Sequence, residues 1–236
     1  MTGINEGRGG FPTELIFIRH GLSELNVRLA IAKARHETSR VLLDQIRDAD
    51  VPLTKIGREQ AQRTGVALSQ HFHKIDKAYV SPALRTRDTF LGVQEAIGYH
   101  IPFQVEDRIR EREFGVFGQM TSYGIEKHYP VEAARLKLEG GYYYRPLGGE
   151  SYPDMGDRLH SFLHSLYRHQ MGKRILVITH ADVVQMARKI LEKLSEAQLL
   201  ELNETDDVLN CSVTQYAYDS EINYLRLVRY NEVYYR

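Results

Sequence analysis

Arg19, His20 and Gly21 follow directly on the apolar run Leu15-Ile16-Phe17-Ile18, so three chemistry-bearing residues stand where a strand stops. A short, abruptly ended run of strand-formers is the pattern of a buried strand. Its polar end admits two readings. One is an ordinary surface turn. The other is a strand-end site in which Gly21 lets the backbone approach a ligand, Arg19 binds an anion and His20 reacts. Two further stretches have the same form. Val80 leads into Ser81-Pro82 with Arg85 on the next helical turn, and Ile178 leads into Thr179-His180-Ala181. In open α/β sheets ligands bind outside the carboxyl ends of the strands. The three stretches can therefore converge and form a compact pocket of two arginines and two histidines. Phosphate suits such a pocket, because guanidinium forks match its oxygens and each charge-assisted hydrogen bond is worth about 1.5–3 kcal/mol.

The elements that must position these residues can be read in outline. Positions 25–46 are helix-compatible through Leu29, Leu42, Leu43 and Ile46, but the polar middle from Lys33 to Arg40 implies one interrupted helix or two. Thr54 caps a helix running to Phe72. Residues 78–80 form a short strand, and Pro82 opens a helix to about Ala96, where its missing N–H is harmless. Residues 103–105 are another short strand. From Arg108 to Gly149 periodicity weakens, as in a partly helical excursion over one end of the sheet. Helical spacing returns at Met155, Leu159, Phe162 and Leu166, followed by the buried strand 175–178 and a helix over 182–194. Residues 211–218 and 224–228 read as a hairpin. The expected fold is α/β, a three-layer α/β/α sandwich with a mostly parallel central sheet, an antiparallel edge and a small helical lid. A flexible tail over 1–13 precedes a single domain, 14–236, with lid elements near 27–49 and 112–149.

Composition narrows the partners. The 31 Lys and Arg are balanced by 31 Asp and Glu, so there is no global field to attract nucleic acid or an anionic membrane. Any anion site must be local. The lone Cys211 has no partner for a disulfide or a thiolate metal site. With no secretory signal pattern, it points to a cytoplasmic setting. No apolar run approaches the roughly 20 residues of a membrane helix. A homodimer stays open, since isologous dimer surfaces look like any mixed surface.

The ordered motifs resemble the histidine phosphatase, or phosphoglycerate mutase-like, superfamily. The resemblance is carried by Arg19-His20-Gly21-Leu22-Ser23-Glu24-Leu25-Asn26, by Pro52-Leu53-Thr54 with Gly57 and Gln60-Ala61, and by Ser81-Pro82-Ala83-Leu84-Arg85-Thr86. It continues through Ile109-Arg110-Glu111-Arg112-Glu113-Phe114-Gly115, Gly148-Gly149-Glu150-Ser151 and Val177-Ile178-Thr179-His180, spanning nearly all of 14–218. It implies that His20 is the nucleophile, forming a phosphohistidine. It also implies that Arg19, Asn26, Arg85 and His180 cradle the phosphate, with Ser23 and Ala181 beside it, and that Glu111 is the proton donor. No metal or cofactor is implied. Two positions depart from the family pattern, which has Glu or Gln in place of Leu22 and Gly in place of Ala181.

The activity this implies is metal-independent hydrolysis of a small phosphorylated metabolite. The stretches Met120-Thr121 to Pro130 and Tyr144-Arg145-Pro146 resemble the fructose-2,6-bisphosphatase module more than the mutases. A phosphoglycerate mutase and a non-catalytic phosphate- or partner-binding module are the rival readings. Several residues keep an alternative. Ser23 reaches the phosphate or closes its turn, and Glu111 without the resemblance is a surface partner of Arg110 or Arg112. Residues 142–145 line the entrance or pack over the sheet edge. Glu150 and Ser151 cap a helix, Arg87 faces outward, and His160 and His164 are solvated rather than zinc ligands.

Overall fold

The computed structural model describes residues 9–41 and 46–235. Six strands form one sheet: β1 (Glu14–Arg19), β2 (Lys77–Val80), β3 (Phe103–Val105), β4 (Arg174–Thr179), β5 (Val213–Asp219) and β6 (Tyr224–Glu232). Their order is β3-β2-β4-β1-β5-β6. The first four run parallel; β5 is antiparallel to β1 and closes a hairpin with β6. Alternation along β1 and β4 divides the interior in two, as a period-two element buried on both faces must. Leu15, Phe17, Ile175 and Val177 pack beneath α6 (Tyr152–His169), α7 (Ala181–Leu191) and α8 (Glu196–Thr205). Ile16, Ile18, Leu176 and Ile178 pack beneath α2 (Lys55–His71) and α3 (Leu84–Ala96). The chain is a three-layer α/β/α sandwich.

The helix starts follow local chemistry. Thr54 caps α2 by accepting from Gly57 N, and Ser151 and Asp154 form a reciprocal capping box on α6. Ala83, not Pro82, precedes α3; Pro82 lies just outside and makes the entry extended. Of the described residues in 25–46, those to Ala34 are helical: α1 spans Glu24–Ala34, and the polar stretch 35–41 is irregular. Leu42 and Leu43 lie outside the described residues, as does the expected tail as far as Arg8. Gly9 to Thr13 are held. Gly10 N donates to Tyr167 O, and the Phe11 ring packs against Tyr167, Tyr218 and Tyr224. Helix α8 was not anticipated, although Ser195 with Gln198 is a capping box written in the sequence.

The stretch 106–149 carries single 3₁₀ turns, then α4 (Ser122–His128) and α5 (Pro130–Glu139). It meets the irregular stretch after α1: Val41 N donates to Gln119 O, Thr121 Oγ1 to Glu37 O and Arg40 Nη2 to Val116 O. The two segments expected to form a lid thus lean on one another.

Candidate active site

Parallel pairing brings the strand ends together. Arg19 stands opposite Thr179 in the β1–β4 register, and Val80 opposite Ile178 between β2 and β4. The ladder continues one step past each strand, with His20 N donating to Thr179 O at 2.9 Å and Ser81 N to Ile178 O at 3.0 Å. His20, Ser81 and His180 are therefore neighbours, and the two imidazole rings lie 5.2 Å apart at 65°. Helix α2 approaches from the other side. A Cβ on Gly21 would stand 2.5 Å from Gly57 O, and one on Gly57 would stand 2.2 Å from Leu22 O. Both positions need glycine for this backbone contact.

These strand ends floor a cavity of about 750 Å³. His20, His180, Arg19, Arg85, Glu111, Asn26 and Ser23 all line it; Ala181, the first residue of α7, does not. Leu29 comes from α1, Arg40, Ile46 and Asp48 from the segment after it, and Phe114 and Gln119 from the excursion. The cavity is far larger than a phosphate.

His20 is 3% exposed, and its Nδ1 lies 2.8 Å from Gly21 O. A carbonyl only accepts, so Nδ1 carries the proton and Nε2 is the basic nitrogen. Burial, then the Arg85 and Arg19 guanidinium groups, push the imidazole pKa well down, so the ring is neutral near pH 7. His180 is shifted the same way by burial, then by Arg85 and His20. Its Nε2 is 2.7 Å from Ser81 Oγ, while its buried Nδ1 has no hydrogen-bond partner among the described residues. That nitrogen lies 3.9 Å from Glu111 Oε2.

The arginines differ in what already holds them. Arg85 is 4% exposed, and its fork reaches Asp48, with Nη1 donating to the carbonyl at 2.6 Å and Nη2 to Oδ2 at 2.9 Å. Arg19 donates through Nη1 to Val208 O and has a buried Nε with no hydrogen-bond partner among the described residues. Asn26 completes a capping box with Ser23 and takes a further bond from Asn210 Nδ2 on the same Oδ1. What Asn26 offers a ligand is thus its N–H₂ donors. Ser23 closes its turn and lines the cavity, so both of its readings apply.

Glu111 is not a surface partner of its neighbouring arginines. Its side chain is 21% exposed, and burial followed by the Asp182 carboxylate raises its pKa to about 8. The backbone N–H of Arg112, Arg85 and Arg19 oppose that shift without cancelling it. Its loop is pinned from α6. Arg158 Nη1 donates to Arg108 O and Arg110 O, each at 2.8 Å, and Nη2 to Glu111 O at 3.1 Å. Glu150 does not cap α6; it pairs with Arg158 at 2.8 Å and with Arg110 at 2.7 Å.

Sequence reasoning missed Arg158, Asp182 and Asn210. Arg158 and Asp182 look like ordinary helix-surface charges, and Asn210 sits in a loop with no periodicity. The remaining candidates resolve toward packing. Tyr144 is buried against Phe117 and donates to Glu132 at 2.6 Å, Tyr142 stacks on Tyr152, and Arg145 pairs with Asp154. None of these lines the cavity. Arg87, His160 and His164 are exposed. Among the described residues no three His, Cys, Asp or Glu side chains gather as a metal site, and no helix is long and apolar enough to cross a membrane.

Known proteins share this architecture. The alpha-ribazole phosphatase of Shigella flexneri superposes with a TM-score of 0.73 at 19% identity, covering 93% of this chain and 96% of its own. A mycobacterial glucosyl-3-phosphoglycerate phosphatase in complex with inorganic phosphate gives 0.69 at 21% identity, covering 95% and 99%. In sequence, the 2,3-bisphosphoglycerate-dependent phosphoglycerate mutase of Rhizobium meliloti is 28% identical over 192 residues, 80% of this chain and 84% of the mutase. The rat 6-phosphofructo-2-kinase/fructose-2,6-bisphosphatase 4 is 30% identical over 186 residues, 78% of this chain but only 34% of that larger protein. The family model of the histidine phosphatase superfamily, branch 1, matches residues 15–232, almost the whole chain. With the strand-end histidines and arginines brought into one cavity and that match across it, the chain belongs to the histidine phosphatase superfamily, an enzyme superfamily of phosphoryl transfer.

Proposed function

We propose that the protein is a metal-independent phosphatase that hydrolyses phosphomonoesters of small metabolites through a phosphohistidine on His20. The observation that carries this reading is the His20 Nδ1 to Gly21 O hydrogen bond, which leaves Nε2 unprotonated beside two arginines. A substrate phosphate seats among Arg19, Arg85, Asn26 and His180, displacing part of the Asp48 contact on Arg85. The Nε2 lone pair forms the N–P bond while the bond from phosphorus to the ester oxygen breaks. Glu111, held protonated, gives its proton to the leaving oxygen, and the guanidinium groups hold the equatorial oxygens. Deprotonated Glu111 then takes a proton from water. The water oxygen attacks phosphorus, His20 leaves, and orthophosphate is released with Glu111 reprotonated. Side chains supply the positive charge that a metal supplies elsewhere, so a chelator is expected to leave activity intact.

The test is acid quench of enzyme mixed with a ³²P-labelled phosphomonoester. Label is expected on His20, with orthophosphate as product, and His20→Ala is expected to give neither. Label on a serine or aspartate, or full activity in His20→Ala, sinks the mechanism. The rhizobial mutase relatives, matched over 84% of their length, favour a second reading. In it, the phosphohistidine returns its phosphoryl group to a phosphoglycerate instead of water. Incubation with 3-phosphoglycerate separates the two: isomerised phosphoglycerate without orthophosphate makes the protein a mutase.

A further inference from the structure

Arg112 follows Glu111 in the chain, yet its guanidinium is turned away from it. The Nε donates to Asp182 Oδ2 at 3.0 Å, and the plane lies between the rings of Tyr152, 4.1 Å from the centroid, and Phe114, 4.6 Å away. Both partners of this ion pair are largely buried, at 14% and 20% exposure. Asp182 sits in the first turn of α7, two residues beyond His180. Only the backbone N–H of Arg112 touches the Glu111 carboxyl group, on Oε1 at 3.0 Å.

We propose that Asp182 is a positioning residue for the proton donor. By holding the Arg112 guanidinium at the start of α7, it keeps that cation off the adjacent Glu111 carboxyl group and leaves the donor protonated for the transfer. This inference rests on Glu111 being the proton donor.

The other groups facing Glu111 make such a device necessary. Arg19 from β1 and Arg85 from α3 both favour its ionised form, and Arg158 from α6 donates to its carbonyl. His180 is neutral and contributes no opposing charge, and Arg110 is taken up by Asp107 and Glu150. Against two catalytic arginines, a third cation on the neighbouring residue would leave a carboxylate unable to give a proton. Asp182 removes that cation and adds a negative charge of its own; burial and the Asp182 charge are the two largest causes that raise Glu111. An arginine fits this post because its flat guanidinium stacks between two rings while bonding a carboxylate, which an ammonium does less well.

The experiment is the pH dependence of kcat/KM for an alkyl and a nitrophenyl phosphate in wild type, Asp182→Asn, Arg112→Gln and the double variant. Asp182→Asn is expected to move the alkaline limb for the alkyl ester down by about one unit. Near pH 8 this is about a fivefold loss, approaching about tenfold above pH 9, while the nitrophenyl ester, whose leaving group needs little protonation, is nearly unaffected. Arg112→Gln leaves Asp182 unpaired and is expected to move the limb the other way. The double variant is expected to return toward wild type. Limbs that stay in place while rates fall indicate a merely structural contact and overturn the proposal, as does a double variant no closer to wild type than Asp182→Asn. Glu111→Gln run alongside separates the two failures. If it keeps the alkaline limb, the assignment of Glu111 as donor falls. If it loses the limb while Asp182→Asn leaves it unmoved, only the role of Asp182 falls.

Discussion

A lysine in place of Arg85 keeps the charge and loses the fork. Two donors of that guanidinium are already aligned by Asp48, so the group is oriented before a phosphate arrives. Arg85→Lys is expected to lower kcat/KM for an aryl phosphate about 10²-fold, read from initial rates. Unchanged kinetics would take Arg85 out of the phosphate seat. The protonation states set a second expectation. As the proposed nucleophile His20 must be neutral, and its pKa is pushed well down, so activity is expected to be lost only at distinctly acid pH, as the ring takes up a proton. As the proposed donor Glu111 must be protonated, and its pKa is raised to about 8, so activity is expected to fall as pH rises through that value. A kcat/KM profile for an alkyl phosphate that still climbs above pH 9 contradicts this assignment.

Elements, more than single residues, hold the site in register. The β1–α1 turn carrying His20 is clamped between β4 and α2, and the contact of Gly21 and Leu22 with Gly57 admits no side chain. Gly57→Ala places a methyl group 2.2 Å from a backbone oxygen, so α2 must move. The expected cost is about 3 kcal/mol in urea unfolding, with a loss of turnover larger than the loss of folded protein. Wild-type stability and turnover would show that α2 yields freely there. On the opposite side, Arg158 joins α6 to the loop of Glu111 through three backbone carbonyls and Glu150. The stretch after α1 and the excursion are joined by side-chain bonds to backbone carbonyls across 76 and 84 positions of sequence, which no local pattern announces.

At the scale of the whole molecule, the site is a set of groups whose preferred protonation opposes folding. His20 and His180 are buried neutral with lowered pKa values, so below pH 6.5 the unfolded chain binds protons that the native one refuses. Stability therefore falls as pH drops through that range. Glu111 acts in the opposite sense. Its native pKa is raised, so the unfolded chain releases a proton above about pH 4.5 that the native one retains until about 8. Stability from this group is fully present below 4.5 and is lost as pH rises toward 8. Glu111→Gln cannot ionise, so at pH 8 it is expected to unfold later than wild type by on the order of 4 kcal/mol, and at pH 4.5 by little. Thermal melts at the two pH values check this; an equal shift at both would mean that the carboxyl group is not held out of water. Stabilisation by losing the proton donor is the usual conflict between activity and stability.

The order of the strands, most of the helices and the three strand-end motifs were legible in one sequence, because each rests on local periodicity or on a residue type at a terminus. The motif resemblance added Glu111, which no spacing rule selects. Only the tertiary structure decided what lies around these groups. The seating of Asp48 on Arg85, the turn of Arg112 toward Asp182 and the packing role of Tyr144 all arise between distant stretches. Secondary structure is written by nearest neighbours along the chain, whereas the charge state of a buried carboxyl or imidazole group is set by whatever folding brings within a few ångströms.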